Sequence, residues 1–501
     1  MCRRGSELNG NLILAVSTAS LGMFVFGYNT GVINAPETVI REFYNASFIK
    51  REGRVISSST QTLLWSFTVS IFAIGGMIGG VLAGWWADYF GRKKGMLLNT
   101  FTGIVGALLM SLAIEADSYE MVIIGRFVIG FTSGLYTGVT PMYNSEVSPT
   151  SLRGAIGTIN QLAVTIAMLI SQVLGLNSIL GTANLWPVLL ALTGVPAILQ
   201  LGLLSLCPES PRYLLLIKGD RQAAKEALLK LRGPDEDAVD KELEQYQRES
   251  ESEKTEERMT VFQVLTKSSL RSPLLLAVMM HFSQQFSGIN TIFYYSTSLF
   301  EAAGLTNDEA QYATLGVGGI MVVMTIVSIP LMDVAGRRTL HLIGLGGMTV
   351  MSIVFTISFS QTDNADWVRY LTISSALSIV VFFALGPGSI PWMIVAELFS
   401  QGPRPGAISI AVLLNWLANF IVGLVFPYLA DALEALVFIP FTVLLVFFFA
   451  FLFFKLPETK NKTIEEITMF FDKTPSKAAD QSKDKELPTE TYTKHVDDAY
   501  L

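Results

Sequence analysis

Charged residues are scarce in this chain of 501 residues. Asp, Glu, Lys and Arg make up only 15% of the sequence, whereas a typical soluble domain carries about 25%. Hydrophobic residues make up 51%, and the mean hydropathy is +0.47. The shortage of charge and the long apolar runs argue against a soluble protein and indicate an integral membrane protein.

Chemically reactive side chains are also few, with only two Cys and three His. No disulfide framework can be inferred from Cys2 and Cys207. The sequence shows no metal-ligand cluster, no nucleophile–base pair and no phosphate-binding loop. We therefore expect no enzyme activity, no metal or other cofactor and no nucleic-acid partner, and we expect the lipid bilayer to be the main surroundings of the chain.

Twelve apolar segments are long enough to cross a bilayer as helices, since a span needs about 20 residues. They are 11–33, 63–87, 96–114, 121–142, 155–176, 186–207, 273–300, 311–332, 339–361, 368–394, 407–430 and 434–456. The predicted fold is thus an all-α membrane protein. Its predicted parts are a first six-helix half (1–207), cytoplasmic linker helices (208–272), a second six-helix half (273–456) and a cytoplasmic tail (457–501).

The charges of the short loops predict the orientation of the chain. Four loops (88–95, 143–154, 333–338 and 395–406) hold seven Lys or Arg, whereas the short loops between them hold none. The basic loops should face the cytoplasm, with both termini inside and the chain in the plasma membrane. The longer loop 34–62 carries basic residues too, but its sequon at Asn45 fits an exterior position and glycosylation.

Three signatures recur along the chain at a nearly constant offset. Gly91-Arg92 matches Gly336-Arg337, and the Glu146…Arg153 spacing returns as Glu397…Arg404. The Pro-Glu pair at 208–209 returns at 457–458. The repeat predicts two six-helix halves of the kind found in many secondary transporters.

The charges of these repeated loops could serve only to anchor the loops at the cytoplasmic side. The paired acids at fixed spacing favour a second interpretation, an inner gate of ion pairs that closes the cytoplasmic side and breaks when the halves rock. The predicted gate residues are Arg92, Glu146, Arg153, Glu209, Arg212, Arg337, Arg338, Glu397, Arg404 and Glu458.

Several spans carry uncharged polar residues, which are functional candidates inside a membrane. Gln284, Gln285 and Asn290 do not share one face of a straight helix, so a break near Gly288 is needed to bring them together. The stretch 386–391, Gly-Pro-Gly-Ser-Ile-Pro, predicts another bend. Two further spans carry polar faces, one with Gln161, Thr165, Met168 and Gln172 and the other with Asn415 and Asn419.

Amides of this kind could simply join helices by hydrogen bonds. Their clustering, beside aromatic residues and without charge, instead suits a neutral ligand with many hydroxyl groups and an apolar ring face. A sugar has both properties.

Many motifs in the right order resemble the facilitative glucose transporters, in the sugar-porter branch of the major facilitator superfamily. They include FGYNTGVINAP (26–36), GRKKG (91–95), PESPRYLL (208–215), SQQFSGIN (283–290), GPGSIPW (386–392) and NWLANFIVG (415–423). The similarity runs from about Ile13 to Phe471. It implies twelve helices, alternating access and hexose transport down a gradient.

The resemblance also implies roles for particular residues. It places Gln161, Gln284, Gln285, Asn290, Trp392 and Asn415 in contact with the sugar, and Phe293 and Phe383 near it. Met321 and Ala384 stand where the family usually has Asn and Glu, and His281-Phe282-Ser283 replaces Gln-Leu-Ser. Glucose is the favoured substrate, but these departures leave fructose or mixed hexose transport open.

The first span contains no acid that could carry a proton. In proton symporters of the superfamily, an Asp at the position of Asn29 partners the Arg at position 126. With an amide at Asn29, we expect a uniporter with no coupling ion. A sugar sensor without transport is the main alternative, whereas a channel is disfavoured by the paired charges of the inner loops.

Overall fold

A computed structural model of the chain describes residues 9–254, 259–362, 364–462 and 464–471. Most of these residues lie in 21 α-helices, and no strand occurs in the described part. The helices of the first half are α1 (Gly10–Gly31), α2 (Glu37–Glu52), α3 (Ser58–Phe90), α4 (Arg92–Ser111), α5 (Tyr119–Val147), α6 (Arg153–Leu174), α7 (Trp186–Ala191) and α8 (Gly194–Leu206).

A linker and a second set of spans follow. The linker contains α9 (Pro211–Leu216), α10 (Arg221–Arg232), α11 (Glu236–Lys254) and α12 (Val261–Thr266). The second set contains α13 (Arg271–Gln285), α14 (Ile289–Ala302), α15 (Asn307–Ala335), α16 (Arg337–Phe359), α17 (Asp366–Leu385), α18 (Ile390–Leu398), α19 (Arg404–Leu433) and α20 (Ile439–Lys455). The last described helix is α21 (Ile464–Phe471). Predicted linker residues 255–258 and tail residues 472–501 lie outside the described residues.

Nine helical stretches in the described part are long and apolar enough to cross a membrane. Two of these stretches combine consecutive helices, α7 with α8 and α17 with α18. The remaining spans of the bundle are α4, the broken pair α13–α14, and α20, which has 17 residues. The predicted all-helical fold with twelve spans is confirmed.

Small residues allow the spans to approach closely. A Cβ on Gly130 of α5 would overlap the backbone oxygen of Phe72 on α3, and a Cβ on Gly134 would overlap that of Gly76. Such approaches are common in membranes, where helix association depends on van der Waals packing. Glycine is therefore required where α3 crosses α5.

Two predicted breaks in the spans are confirmed. Gly288 separates α13 from α14 with a φ of +84°, a conformation that glycine adopts without steric strain. Residues 386–389 separate α17 from α18, where Pro387 lacks a backbone N–H and interrupts the helix.

A third break, between Ala191 and Gly194, was not predicted. It divides the span 186–207 into α7 and α8. Pro196 lies in the first turn of α8, a position that tolerates the missing N–H.

The linker helices form a small core of their own. Leu215, Leu228, Val239, Leu243 and Tyr246 are buried together there. Helix α10 buries Ala224, Ala227, Leu228 and Leu231. This spacing is typical of an amphipathic helix that covers the predicted cytoplasmic side.

We call the end of the bundle near Arg92 and Arg337 the inner end and the opposite end the outer end. At the outer end, Asn34 donates 2.8 and 2.9 Å hydrogen bonds to Ser296 Oγ and Phe293 O, which join α14 to the first half. Asn177, which follows α6, likewise joins the first half to α15. Its backbone N–H donates to Gln311 Oε1 at 2.9 Å, and its side-chain Nδ2 donates to Asn307 Oδ1. Among the described residues, no hydrogen bond or ion pair joins the first six spans to the last six at the inner end. Within the described part, hydrogen bonds between the halves thus occur at the outer end alone, the pattern expected of an inward-facing conformation.

Candidate functional site

Amide side chains from three helices meet where α13 breaks. Gln285 Nε2 donates to Asn415 Oδ1 of α19 at 3.1 Å, and Asn290 of α14 donates to Gln285 Oε1. Gln284 Oε1 accepts from Asn415 Nδ2 at 2.8 Å. The break at Gly288 thus brings together amides that a straight helix would separate. We call Gln284, Gln285, Asn290 and Asn415 the amide cluster.

Gln284 also connects the cluster to the second broken span. Its Nε2 donates to the carbonyl oxygens of Pro387 at 2.7 Å and Gly388 at 2.8 Å. These carbonyls lie in the break between α17 and α18, where helical partners are missing. One amide therefore couples both broken spans.

His281 lies against this cluster and is fully buried. Asn415 Nδ2 and His281 Nδ1 are 2.9 Å apart, and the His281 ring meets the Trp392 ring edge-on with centroids 5.0 Å apart. Trp392 is 40% exposed, although it lies next to the buried amides. The cluster therefore adjoins an accessible surface on its Trp392 side.

Aromatic rings flank the amides. Phe293 and Phe383, both predicted near the ligand, meet edge-on with centroids 5.9 Å apart. Tyr294 donates to Asn419 Oδ1 at 3.0 Å. Tyr294 was not predicted from the sequence, although it directly follows Phe293, which was predicted. Met321 and Ala384 are buried, with 3% and 6% exposure.

The first half contributes Gln161, which is half-buried on α6. Thr165, Met168 and Gln172 share its helical face, and all three are buried. The structure does not join Gln161 to the amide cluster through any hydrogen bond among the described residues. Its contact with a ligand stays a prediction.

Arg126 is a fully buried charge in α5. Its Nη1 donates to the backbone oxygen of Asn29 at 2.8 Å, and its guanidinium lies 4.6 Å from the centre of the Phe72 ring. The Asn29 side chain instead donates to Val25 O at 2.8 Å and accepts from Thr193 at 3.1 Å. The predicted pairing of Arg126 with Asn29 therefore occurs through the main chain and not through the amide.

Charged residues form a compact cluster at the inner end of the first half. Arg92 pairs with Glu146 at 2.9 Å, and Glu209 accepts hydrogen bonds from the backbone N–H groups of Arg92 at 3.1 Å and Lys93 at 2.8 Å. These N–H groups begin α4 and lack helical partners. Glu209 is thus a cap for α4 that comes from a distant part of the sequence.

The second half repeats this arrangement. Arg337 pairs with Glu397 at 3.2 Å, and Glu458 accepts from the N–H groups of Arg337 at 2.9 Å and Arg338 at 3.1 Å. Thr459 donates to Glu397 at 2.5 Å, as Ser210 donates to Glu146. The repeat seen in the sequence is therefore a repeat of three-dimensional contacts.

The other predicted gate residues do not connect the two clusters. Arg212 pairs with Glu249 of the linker, Arg338 Nη2 donates to Phe453 O at 2.8 Å, and Arg404 donates to Phe399 O at 3.0 Å. Arg153 forms no ion pair within the described residues. Within the described residues, the ten predicted gate residues thus do not form a single network. In the inward-facing conformation, the inner ends of the two halves are not joined.

The predicted glycosylation residue Asn45 lies on α2 at the outer end. Its Oδ1 accepts from Ile56 N at 3.2 Å, and the sequon residue Ser47 donates to Asp117 O at 2.8 Å. Among the described residues, no group of three or more His, Cys, Asp or Glu is placed to hold a metal ion.

Twelve spans in two repeated halves, closed at the outer end around a neutral polar cluster, define a carrier of the major facilitator class. Residues 15–471 match the family described as sugar (and other) transporter. The chain belongs to this family.

Curated relatives share about half of its residues. The chain is 47% identical over 481 residues to solute carrier family 2, facilitated glucose transporter member 1, of Gallus gallus. The aligned region covers 96% of this chain and 97% of the relative. It is 48% identical to member 3 of Bos taurus, over 93% of this chain and 94% of the relative. It is 49% identical to member 4 of Mus musculus, over 94% and 92%.

Solved structures show the same fold. The partially occluded inward-open conformation of the xylose transporter XylE from E. coli matches with a TM-score of 0.76 at 27% identity, over 91% of this chain and 100% of that one. The inward-open conformation of the same transporter matches with a TM-score of 0.75 at 26% identity, over 91% and 99%.

Proposed function

We propose that this chain transports hexoses down their gradient across the plasma membrane without a coupling ion, with D-glucose as the favoured substrate. The amide cluster is the observation that carries the proposal. Its uncharged donors and acceptors match sugar hydroxyls, and the nearby rings of Phe293 and Trp392 match the apolar face of a pyranose. The glucose transporters of family 2 named above support the same substrate.

Alternating access follows from the way the halves meet. In the inward-facing conformation the outer hydrogen bonds of Asn34 and Asn177 hold the halves together, and the inner clusters stay within their own halves. Rocking that opens the outer end must break the outer contacts and bring the inner clusters closer. We propose that the clusters around Arg92 and Arg337 then gate the inner end.

Uncoupled transport is supported by the surroundings of Arg126. Among the described residues it has no carboxylate partner, and Asn29 contacts it only through a backbone oxygen. An amide does not titrate, so this pair offers no proton switch. The charge of Arg126 is then constant through the transport cycle.

The hexose preference depends on residues that differ from the family pattern. Met321 and Ala384 are apolar and buried, so neither offers the polar contact that the family usually has. His281 instead adds a ring nitrogen beside Asn415. Fructose therefore stays a candidate substrate with glucose.

We further propose the two halves 1–207 and 273–456 as the moving units, joined by the linker 208–272. Both termini, with the tail 457–501, are proposed to lie in the cytoplasm. Asn45 would then face outward, where its sequon could be glycosylated.

Uptake of labelled glucose, galactose and fructose into proteoliposomes tests the proposal. We expect glucose uptake that stops once the sugar gradient has dissipated, is not driven uphill by a pH gradient and is strongly reduced at low glucose concentration in Gln285→Leu. Sugar binding without uptake would favour a sensor. Proton movement together with sugar would contradict uncoupled transport.

A further inference from the structure

Gln172 on α6 has a buried side chain without a partner. It is 1% exposed, and neither its Oε1 nor its Nε2 forms a hydrogen bond within the described part of the chain. Burial of an amide without hydrogen bonds is unfavourable. By contrast, the buried amide of Gln200 donates to Thr18 O at 3.2 Å and accepts from Tyr136 at 2.6 Å. Gln172 therefore calls for an explanation.

Its position on the helix gives the first clue. Gln172 follows Gln161 by 11 residues, which places it within about 20° on the same face and about 16 Å nearer the outer end. Gln161 is the residue of α6 that is predicted to contact the sugar. The two amides therefore mark two levels of one helical face.

The surroundings of Gln172 give the second clue. It packs against Gly318 of α15, where a Cβ would overlap Oε1 of the amide. Because α15 belongs to the second half, Gln172 lies in the interface between the two halves. This interface must separate when the outer end opens. Glycine at position 318 is what makes room for the amide in the closed state.

Neutral polar groups line the same outer seam. Thr314 lies one turn from Gly318 on α15 and is 2.9 Å from Ser296 Oγ, which accepts from Asn34. No ion pair between described residues crosses this seam. Separation of the halves would therefore expose mainly hydroxyl and amide groups, together with the carboxyl of Glu37, which accepts from Ser298 across the seam.

We propose that Gln172 is an outer hexose-binding group, which binds sugar hydroxyls in the outward-facing conformation and packs against Gly318 when the outer end closes. This inference rests on the proposed function. A carboxamide supplies one acceptor and two donors, which match hydroxyl groups of an uncharged saccharide. A sugar entering from outside would meet Gln172 before it reaches Gln161.

A different role must be separated from this one. An unsatisfied buried amide also destabilises the closed outer end, so its removal shifts the equilibrium toward the inward-facing conformation. Such a shift weakens all external ligands by the same factor. A direct contact weakens only the ligands that are long enough to reach Gln172.

The experiment compares wild type with Gln172→Met, a change that keeps length and removes both polar atoms. Labelled glucose exchange in proteoliposomes is inhibited from outside by glucose, maltose and maltotriose. In the variant we expect the ratio of the maltotriose to the glucose inhibition constant to rise about 5- to 10-fold, as is typical for a lost hydrogen-bonding group. Gln172→Asn should give a smaller rise.

An unchanged ratio in Gln172→Met would overturn the inference, even if all three constants rise together. Ser171→Ala is the matched control, because Ser171 is the buried neighbour whose hydroxyl donates only to Met168 O of its own helix; its ratio should equal that of wild type. Gln161→Leu should weaken all three sugars. If wild type responds to none of them, the proposed function fails, and that result is distinct from an unchanged ratio.

Discussion

Gln285 and Asn415 are joined by a hydrogen bond of 3.1 Å that connects α13 to α19. Gln285 also donates to Gln284 at 3.2 Å and accepts from Asn290. All four residues are nearly buried, so each amide depends on the others for hydrogen bonds. This mutual orientation presents a fixed set of donors and acceptors to a ligand.

Loss of Gln285 should therefore weaken hexose binding more than loss of one contact would. We expect Gln285→Leu to raise the KM for hexose uptake at least about 10-fold, because Asn290 and Asn415 lose their orienting partner. Uptake kinetics in proteoliposomes measure the change. Ser374→Ala, at an exposed position on α17, is the control; a KM near that of wild type in Gln285→Leu would contradict the role of the cluster.

The two inner caps give a prediction about stability. Glu209 and Glu458 each accept backbone N–H groups at the start of a span, and such charge-assisted caps contribute about 1–2 kcal/mol. We expect Glu209→Ala and Glu458→Ala each to lower the Tm of the purified protein by a few degrees, with a similar size in both. Thermal unfolding followed by fluorescence measures this.

The conservative variants Glu209→Gln and Glu458→Gln keep one acceptor oxygen and should lose less. Asp431→Ala removes an exposed acid at the outer end of α19 and should leave the Tm unchanged. Equal Tm values for Glu458→Ala and Asp431→Ala would show that the cap contributes nothing.

The fold could be predicted from the sequence because long apolar runs and basic loops reflect the bilayer directly. The two breaks that affect the site were also predictable, since Gly288 and the glycine- and proline-rich stretch 386–391 interrupt helices by local chemistry. The partners of the charged residues at the inner end were harder to predict from the sequence. Whether Arg337 meets Glu397 alone or charges of the other half depends on the conformation, which composition does not encode.

Some residues of the site were missed for a similar reason. The outer contacts of Asn34 and Glu37 with α14 join parts of the chain about 260 residues apart, and no local pattern marks such pairs. The sequence favours a packing or rim position for His281 over a role as a proton relay, because no carboxylate lies near it in sequence. Its partner is the amide of Asn415, which periodicity alone could not reveal.

The carboxyl of Glu37 gives a pH prediction. Burial raises the pKa of Glu37 above its ordinary value, although Ser298 of α14, at 2.7 Å, and Arg41, at 3.0 Å, act in the opposite direction. The nearby Glu301 of α14 raises the pKa further. When the outer end opens, the bond to Ser298 breaks and the carboxyl is hydrated, so its pKa returns toward the ordinary value.

The closed outer end therefore binds a proton more tightly than the open one, and acidification stabilises the inward-facing conformation. We expect acidification of the external solution to raise the external KM for hexose influx. Glu37→Gln should remove this dependence. Glu42→Gln, at an exposed position on the same helix, should keep it; a wild-type pH profile in Glu37→Gln would contradict the prediction.

Asn29→Asp tests the link between Arg126 and uncoupled transport. The new carboxylate would lie close to a guanidinium whose Nε and Nη2 have no partner in the described part of the chain. At pH values above the pKa of this carboxyl, the ion pair should restrain the first half and slow uptake. Once the pH is low enough to protonate it, the acid resembles the native amide, so the ratio of variant to wild-type uptake should rise as the pH falls through the pKa of this carboxyl. Thr193→Val removes the hydrogen bond to Asn29 without a new charge and should show a flat ratio. A flat ratio in Asn29→Asp as well would mean that Arg126 does not respond to an acid at this position.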